Sequence, residues 1–168
     1  MATIFDNIKI TTEGGKATLN SIQKVIEELA SYSNFNIKRK KNTIEASELG
    51  FIFDSDEAAE LAERVARATN GVDFVIEANT STNLSIESMS FLIECKNGKL
   101  TMRSSDWYIL FTSDMVEDYE TYEEYLEEYD ELSNEDDFMK VKENEETYLV
   151  NNKIYVELPL GEAIVLEY

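Results

Sequence analysis

Histidine is missing from this 168-residue sequence, and several classes of chemistry are excluded with it. The chain lacks the commonest general base at neutral pH, the Ser-His and Cys-His nucleophile pairs, and histidine-based metal sites. Its single cysteine, Cys95, excludes an intramolecular disulfide and every multi-thiolate zinc or iron–sulfur centre. So few thiols are typical of a reducing compartment. We therefore expect a cytoplasmic protein, in the host cytosol if a phage or mobile element encodes it.

Long apolar runs are also missing. No stretch approaches the roughly 18 apolar residues that a membrane-spanning helix requires. The beginning of the chain does not combine positive charge with an apolar run, as a signal peptide does. We therefore expect neither a membrane span nor a signal peptide.

Basic residues are scarce, since 15 Lys and Arg stand against 35 Asp and Glu and give a formal net charge of −20. This charge opposes binding to phosphate backbones and to anionic membrane surfaces. It favours rapid, salt-sensitive association with basic proteins. The sequence therefore predicts a basic protein partner, and neither direct nucleic-acid binding nor membrane binding.

The rest of the composition is that of a folded protein, with 43% hydrophobic residues. Apolar periodicity predicts the order β-α-β-β-α-β-β-β-α-β-β-β, in which hairpins dominate. We predict an α+β fold, with a mainly antiparallel sheet of hairpins, two amphipathic helices on one face and an acidic helical insertion. The predicted domain organisation is an α+β core over residues 1–113, an acidic helical segment over 114–146, and C-terminal strands over 147–168 that complete the same domain.

Local signals place the first elements. Apolar spacing predicts a helix over residues 18–32 with Thr18 as its cap. A second helix opens at Asp54, where Glu57 completes a capping box, and ends at Asn70-Gly71. We predict strands over residues 3–12, 35–40, 42–53, 72–78 and 107–111, and a loop over residues 79–83.

Two asparagine-containing turns predict hairpins. Asn97-Gly98 suits a type I′ turn and sets Cys95 opposite Leu100 on an apolar face, so Cys95 is interpreted as a buried hydrophobe and not as a nucleophile. Asn151-Asn152 is a second candidate turn. The pairs that it predicts are Leu149 with Ile154 and Tyr148 with Tyr155.

Four consecutive bases, Lys38-Arg39-Lys40-Lys41, lie between two predicted strands; we call them the basic tip. They could contact nucleic acid or an acidic partner. The alternative is a solvated turn that offsets the acidic field, and the sequence favours it because four bases on so acidic a chain attract phosphate weakly.

Acidity is concentrated between Asp114 and Glu146, which we call the acidic segment. It holds 16 Asp and Glu against two lysines, a net of −14, whereas the remaining 135 residues carry 19 acids and 13 bases, a net of −6. Tyrosine and leucine recur within it at spacings of three and four, which predicts one stripe of a helix. That stripe consists of Tyr119, Tyr122, Leu126 and Tyr129.

Several glutamates of this predicted helix lie four residues apart, and each such like-charge pair destabilises a helix by some tenths of a kcal/mol. A helix selected only for stability would mix charges of both signs. Residues 114–132 hold ten acids in 19 residues. On a helix this is about one charge per 2.8 Å, near the roughly 3.4 Å spacing of phosphates along one DNA strand.

The sequence therefore predicts a non-enzymatic acidic inhibitor that mimics nucleic acid and binds the basic cleft of a nuclease or of a CRISPR or restriction effector. The hypothesis assigns no catalytic residue, no metal ligand and no cofactor. The candidate partner-binding residues are Asp114, Glu117, Asp118, Glu120, Glu123, Glu124, Glu127, Glu128, Asp130, Glu131, Glu135, Asp136 and Asp137.

Three alternatives stay open at this point. The chain could be a structural or adaptor module, whose acidic segment only solubilises or tethers it. It could be an immunity protein against a basic toxin. It could also be a carboxylate-dependent metal enzyme, although residues 134–146 lack the alternation and the glycine of an EF-hand loop.

Overall fold

Strands and helices follow one another along the chain in nearly the predicted order. The structure, a computed structural model, describes residues 3–82, 87–105, 108–109, 111–112, 120–128, 135, 147–150, 153–156 and 160–168. Its elements are β1 Ile4–Thr12, α1 Gly15–Leu29, β2 Asn36–Arg39, β3 Thr43–Ser47, α2 Ser55–Ala68, β4 Phe74–Thr82, β5 Glu87–Lys96, β6 Lys99–Ser104, β7 Tyr108–Ile109, β8 Phe111–Thr112, α3 Tyr122–Glu128, β9 Thr147–Val150, β10 Lys153–Val156 and β11 Ile164–Leu166. The predicted α+β class with a mainly antiparallel sheet is confirmed.

Hairpin pairing determines the order of the main sheet. The strands lie in the order β11-β6-β5-β4-β1-β3-β2, with β7 paired to β5, and the pairs are antiparallel. A second, three-stranded sheet has the order β8-β10-β9. Strands β2 and β11 are thus the two edges of the main sheet among the described residues.

One face of the main sheet and the two long helices share a single hydrophobic core. Alternate residues of β1 and β4, such as Ile10 and Ile76, are fully buried and lie opposite each other. Their neighbours Lys9 and Glu77 point to the other face and are exposed. This alternation of period two is what a sheet covered on one face requires. The buried residues of the helices are Leu19, Ile22, Val25, Ile26 and Leu29 of α1, and Ala58, Leu61, Ala62, Val65 and Ala66 of α2.

The predicted Asn97-Gly98 turn and the capping box are confirmed, whereas the second candidate turn, Asn151-Asn152, lies outside the described residues. Asn97 and Gly98 have φ values of 52° and 77°, so both adopt the left-handed conformation of a type I′ turn. Asp54 caps α2, and Glu57 completes the box by accepting from the Asp54 backbone N–H at 3.2 Å. The pairs predicted across both hairpins are Cys95 with Leu100, Leu149 with Ile154 and Tyr148 with Tyr155, and the structure has all three.

Two local predictions are wrong. Thr18 does not cap α1, because the helix begins at Gly15 and the Thr18 hydroxyl donates to the Gly14 carbonyl at 3.0 Å. Residues 79–82 are not a loop, since β4 continues through Thr82 between β1 and β5. Of the strand predicted over residues 107–111, positions 107 and 110 lie outside the described residues, and the described positions are strand: β7 pairs with β5, and β8 pairs with β10 in the second sheet.

The predicted strand over residues 42–53 also ends early, at Ser47, because the chain turns there around a buried acid. Glu48 and Gly50 have φ values of 60° and 66°, which a strand cannot accommodate. The side chain of Asp6 in β1 is only 1% exposed. Its carboxylate accepts four backbone N–H groups: those of Leu49 at 2.8 Å, Gly50 at 3.1 Å, Phe51 at 2.9 Å and Ile52 at 2.9 Å.

Candidate partner-binding surface

The described part of the acidic segment consists of residues 120–128, which include α3, and residue 135. Residues just before α3 help to cap its N-terminus. The Thr121 hydroxyl accepts from the Glu124 backbone N–H at 3.3 Å, and the Glu124 carboxylate accepts from the Glu120 backbone N–H at 3.1 Å. This is a variant of the capping box, in which the acid reaches one residue further back. The Thr-x-x-Glu signal over residues 121–124 was available in the sequence, although our prediction did not use it.

One tyrosine of α3 is fully buried. Tyr125 is 0% exposed, and its ring stacks on that of Tyr122 with centroids 6.2 Å apart and planes at 21°. Tyr122 and Leu126 are half-buried. The predicted stripe is therefore only partly correct. It includes Tyr122 and Leu126 but omits Tyr125, which is fully buried. The two outer members of that stripe, at positions 119 and 129, lie outside the described residues.

Carboxylates occupy the opposite side of α3. Glu120, Glu123, Glu124 and Glu127 are all exposed, and so is Glu135. The backbone of Glu128 is helical, but its side chain is outside the described part of the chain. The other candidate residues, Asp114, Glu117, Asp118, Asp130, Glu131, Asp136 and Asp137, also lie outside the described residues.

The exposed glutamates of α3 are not neutralised by described bases. The ion pair found within the described part of the chain joins Arg64 and Glu60 on α2 at 3.2 Å. No described lysine or arginine lies within ion-pair distance of Glu120, Glu123 or Glu127. Within the described ranges, moreover, no group of three or more Cys, Asp or Glu side chains is arranged to hold a metal ion.

The basic tip begins in β2 and continues into the turn before β3: Lys38 and Arg39 belong to β2, whereas Lys40 and Lys41 lie between the two strands. All four side chains are exposed. Arg39 reaches back to α1, where its Nη1 donates to Asn20 Oδ1 at 2.7 Å and to Gln23 Oε1 at 3.2 Å. One of the four bases is therefore engaged by the protein itself. This arrangement agrees with the interpretation of the tip as a solvated turn.

Cys95 is buried in the core, as predicted. Burial raises the pKa of its thiol, and the negative charge of Asp73 raises it further. Because the thiolate is the nucleophilic form, a shielded thiol with a raised pKa is poorly suited to covalent catalysis.

Comparisons with known proteins give no match: no family model fits the chain, and neither a curated protein nor a solved structure is similar to it. No helix among the described residues is both long enough and apolar enough to cross a membrane. The functional interpretation therefore depends on the residues themselves.

Proposed function

We propose that this protein is a non-enzymatic inhibitor that mimics nucleic acid and occupies the basic cleft of a nuclease or of a CRISPR or restriction effector. The proposed binding surface is the acidic segment, whose described part is residues 120–128, which include α3, and residue 135. In this proposal the segment is an insertion between a core, whose two amphipathic helices cover one face of the sheet, and the C-terminal strands. The protein acts in the cytosol, where such effectors meet nucleic acid.

The observation that carries the proposal is the division of α3 into two sides. Tyr125 is fully buried, whereas Glu120, Glu123 and Glu127 are exposed and have no described base beside them. A helix that buries a tyrosine on one side presents its glutamates on the other, and no described base neutralises them. A basic partner would then meet ordered charges, and the entropic cost of arranging them is reduced.

The spacing of these charges also supports the proposal. Glu123 and Glu127 are one helical turn apart, about 6 Å along the axis. Alternate phosphates of one DNA strand are roughly 6.8 Å apart along the duplex axis. Arginine side chains bind carboxylate and phosphate with the same two-pronged geometry. An arginine-lined cleft that fits alternate phosphates of one strand can therefore accept these glutamates.

The test is displacement of DNA from its enzyme. A panel of restriction endonucleases and RNA-guided nucleases, each bound to a fluorescent DNA duplex, is titrated with the protein, and fluorescence polarisation measures the DNA released. We expect release from at least one basic effector. The triple variant Glu120→Gln, Glu123→Gln, Glu127→Gln should require about tenfold more protein, since three exposed charge contacts of roughly 0.5 kcal/mol each are lost.

A matched control removes the same net charge elsewhere. The variant Glu13→Gln, Glu28→Gln, Glu94→Gln changes three exposed glutamates of the loop before α1, of α1 and of β5. It should shift the displacement curve by less than about threefold, because distant charges are screened. Equal shifts for the two triple variants, or no displacement from any enzyme of the panel, would reject the proposal.

A further inference from the structure

The two edges of the main sheet are built differently. Edge strand β2 ends in the basic tip, whose four side chains are exposed. Edge strand β11 carries Ile164 and Val165, whose side chains are 52% and 63% exposed. Charged side chains, lysine above all, are a common means of preventing an edge strand from pairing with another chain. Edge β2 has this protection, and β11 lacks it.

Strand β11 is also fixed at both ends. Before the strand, Arg103 Nε donates to the Gly161 carbonyl at 3.0 Å, and the Gly161 N–H donates to the Ser104 carbonyl at 2.8 Å. After the strand, the Tyr168 hydroxyl donates to the Gly98 carbonyl at 2.7 Å. Because β11 is ordered beforehand, a strand that pairs with it bears a smaller entropic cost.

Strand β11 pairs with β6 on one side, and no described strand pairs with its other side. We propose that this edge of β11 binds the β11 strand of a second copy of the protein, antiparallel and about a two-fold axis. The two main sheets would then form one continuous sheet. This interaction does not depend on the function proposed above. Dimerisation uses apolar side chains and backbone hydrogen bonds of β11, whereas the proposed inhibition uses the charges of the acidic segment.

The sequence of β11 suits pairing with itself. When Val165 lies opposite Val165 of the second copy, Ile164 lies opposite Leu166, so apolar side chains meet along the strand. In the same register Glu167 lies opposite Ala163, and Glu162 opposite Tyr168, so no glutamate faces another. A register shifted by one residue would turn the second copy over, so that its side chains lie on the other face of the sheet, and could set Glu162 opposite Glu167. The symmetric register is therefore both apolar and free of directly opposed charges.

Two physical properties of this dimer follow. A pairing over so short a strand buries less than the roughly 1,200 Å² of a standard interface, so dimerisation should be weak and concentration-dependent. Each copy carries a net charge of −20, so the copies repel each other, and added salt should strengthen dimerisation by screening that repulsion. The inhibitor function predicts the opposite dependence on salt for binding to a basic effector.

The test is sedimentation velocity on the full chain between about 10 μM and about 1 mM protein, a range that detects weak association. We expect the mass to rise from 19.3 kDa towards twice that value, and more completely at high salt. Val165→Lys should stay monomeric throughout. Val75→Lys is the matched control, because Val75 is exposed on the central strand β4, where no edge is available.

A second measurement needs no variant. Amide hydrogen exchange at Ile164, Val165 and Leu166 should slow as the protein concentration rises, while exchange in β2 stays constant. A monomer at every concentration, a dimer that Val165→Lys leaves intact, or exchange in β11 that does not depend on concentration would overturn the proposal. A monomer that instead binds an extended peptide at β11 would overturn it as well.

Discussion

At the scale of single residues, Asp6 determines the course of the chain after β3. Its carboxylate accepts four backbone N–H groups from residues 49–52, more than 40 positions away in the sequence. Buried N–H groups need acceptors, and here one side chain supplies them all. Nothing in the local sequence of residues 48–53 reveals this acceptor, which is why the sequence predicted a continuous strand there.

Asp6→Asn should destabilise the protein strongly. The amide has one acceptor oxygen, and its NH₂ group would face two of the four N–H donors. Leaving such donors unpaired should lower the free energy of unfolding by about 3 kcal/mol, as measured by urea denaturation. Asp73→Asn is the control, because the exposed Asp73 accepts one backbone N–H, from Asn97 at 2.9 Å, and should lose less than about 1 kcal/mol. Equal losses for the two variants would contradict this account of Asp6.

The capping pair of α2 gives a prediction about pH. Burial raises the pKa of Glu57 above its ordinary 4.5, and its hydrogen bond with Asp54 raises it further. The stability that Glu57 contributes is therefore fully present below pH 4.5 and is lost as the pH rises through the raised value. The free energy of unfolding, measured in urea at pH 7 and at pH 4.5, should rise on acidification by more for the unmodified chain than for Glu57→Gln. Parallel gains would contradict the prediction.

Asp54 should behave in the opposite sense. Its hydrogen bond with the Glu57 side chain lowers its pKa below the ordinary 3.8, and the backbone N–H groups of Asp56 and Glu57 act in the same direction. The stability that Asp54 contributes is present above pH 3.8 and is lost as the pH falls through the lowered value. Below pH 3.8 the unmodified chain should therefore lose stability faster than Asp54→Asn does, which the same unfolding series measures.

At the scale of elements, the sequence was informative where the cause is local. Asn97-Gly98 and the Asp54–Glu57 pair carry their own turn and cap chemistry, and both were predicted correctly. Residues 79–82 look like a loop by composition, yet β1 and β5 pair with them on both sides, and this long-range pairing overrides local preference. The position of Tyr125 in the helical stripe was missed for a related reason, since spacing alone does not decide which tyrosine is buried.

If the glutamates of α3 serve binding at the expense of stability, replacing one of them should stabilise the protein and weaken its binding. Glu123 and Glu127 are exposed like charges four residues apart, and no described base relieves them. Glu127→Lys would replace that repulsion by attraction and place a cation near the end of the helix dipole. It should raise the free energy of unfolding by about 0.5 kcal/mol in urea denaturation, while weakening the displacement of DNA from the effector.

The same substitution on α1 is the control. Glu28→Lys also places a cation near the C-terminal end of its helix, so the helix-dipole interaction is matched between the two variants. It sets a lysine four residues after Lys24, however, so it exchanges a favourable pair for a repulsive one and should leave the protein less stable than Glu127→Lys does. If Glu127→Lys destabilised the protein as much as Glu28→Lys does, the glutamates of α3 would not be under the repulsion that the account assigns to them.

At the scale of the whole molecule, most of the net negative charge lies in one segment of the sequence, the acidic segment. Composition alone located the acidic segment, because counting charges along the chain needs no structure. It could not indicate which carboxylates are exposed and which are used within the protein. Glu124, for example, participates in the cap of α3, and Asp6 is buried in the core. Among the described residues, the structure therefore divides the acids into those that hold the fold and those that are exposed.

The most direct test of the nucleic-acid mimic is the dependence of its affinity on salt. The dissociation constant for a basic effector identified by DNA displacement is measured between about 0.1 M and 1 M NaCl, where the Debye length falls from about 10 Å to about 3 Å. The account predicts that affinity falls by about a hundredfold or more, and that the triple variant of α3 shows a shallower dependence. An affinity that stays the same from low to high salt would contradict it.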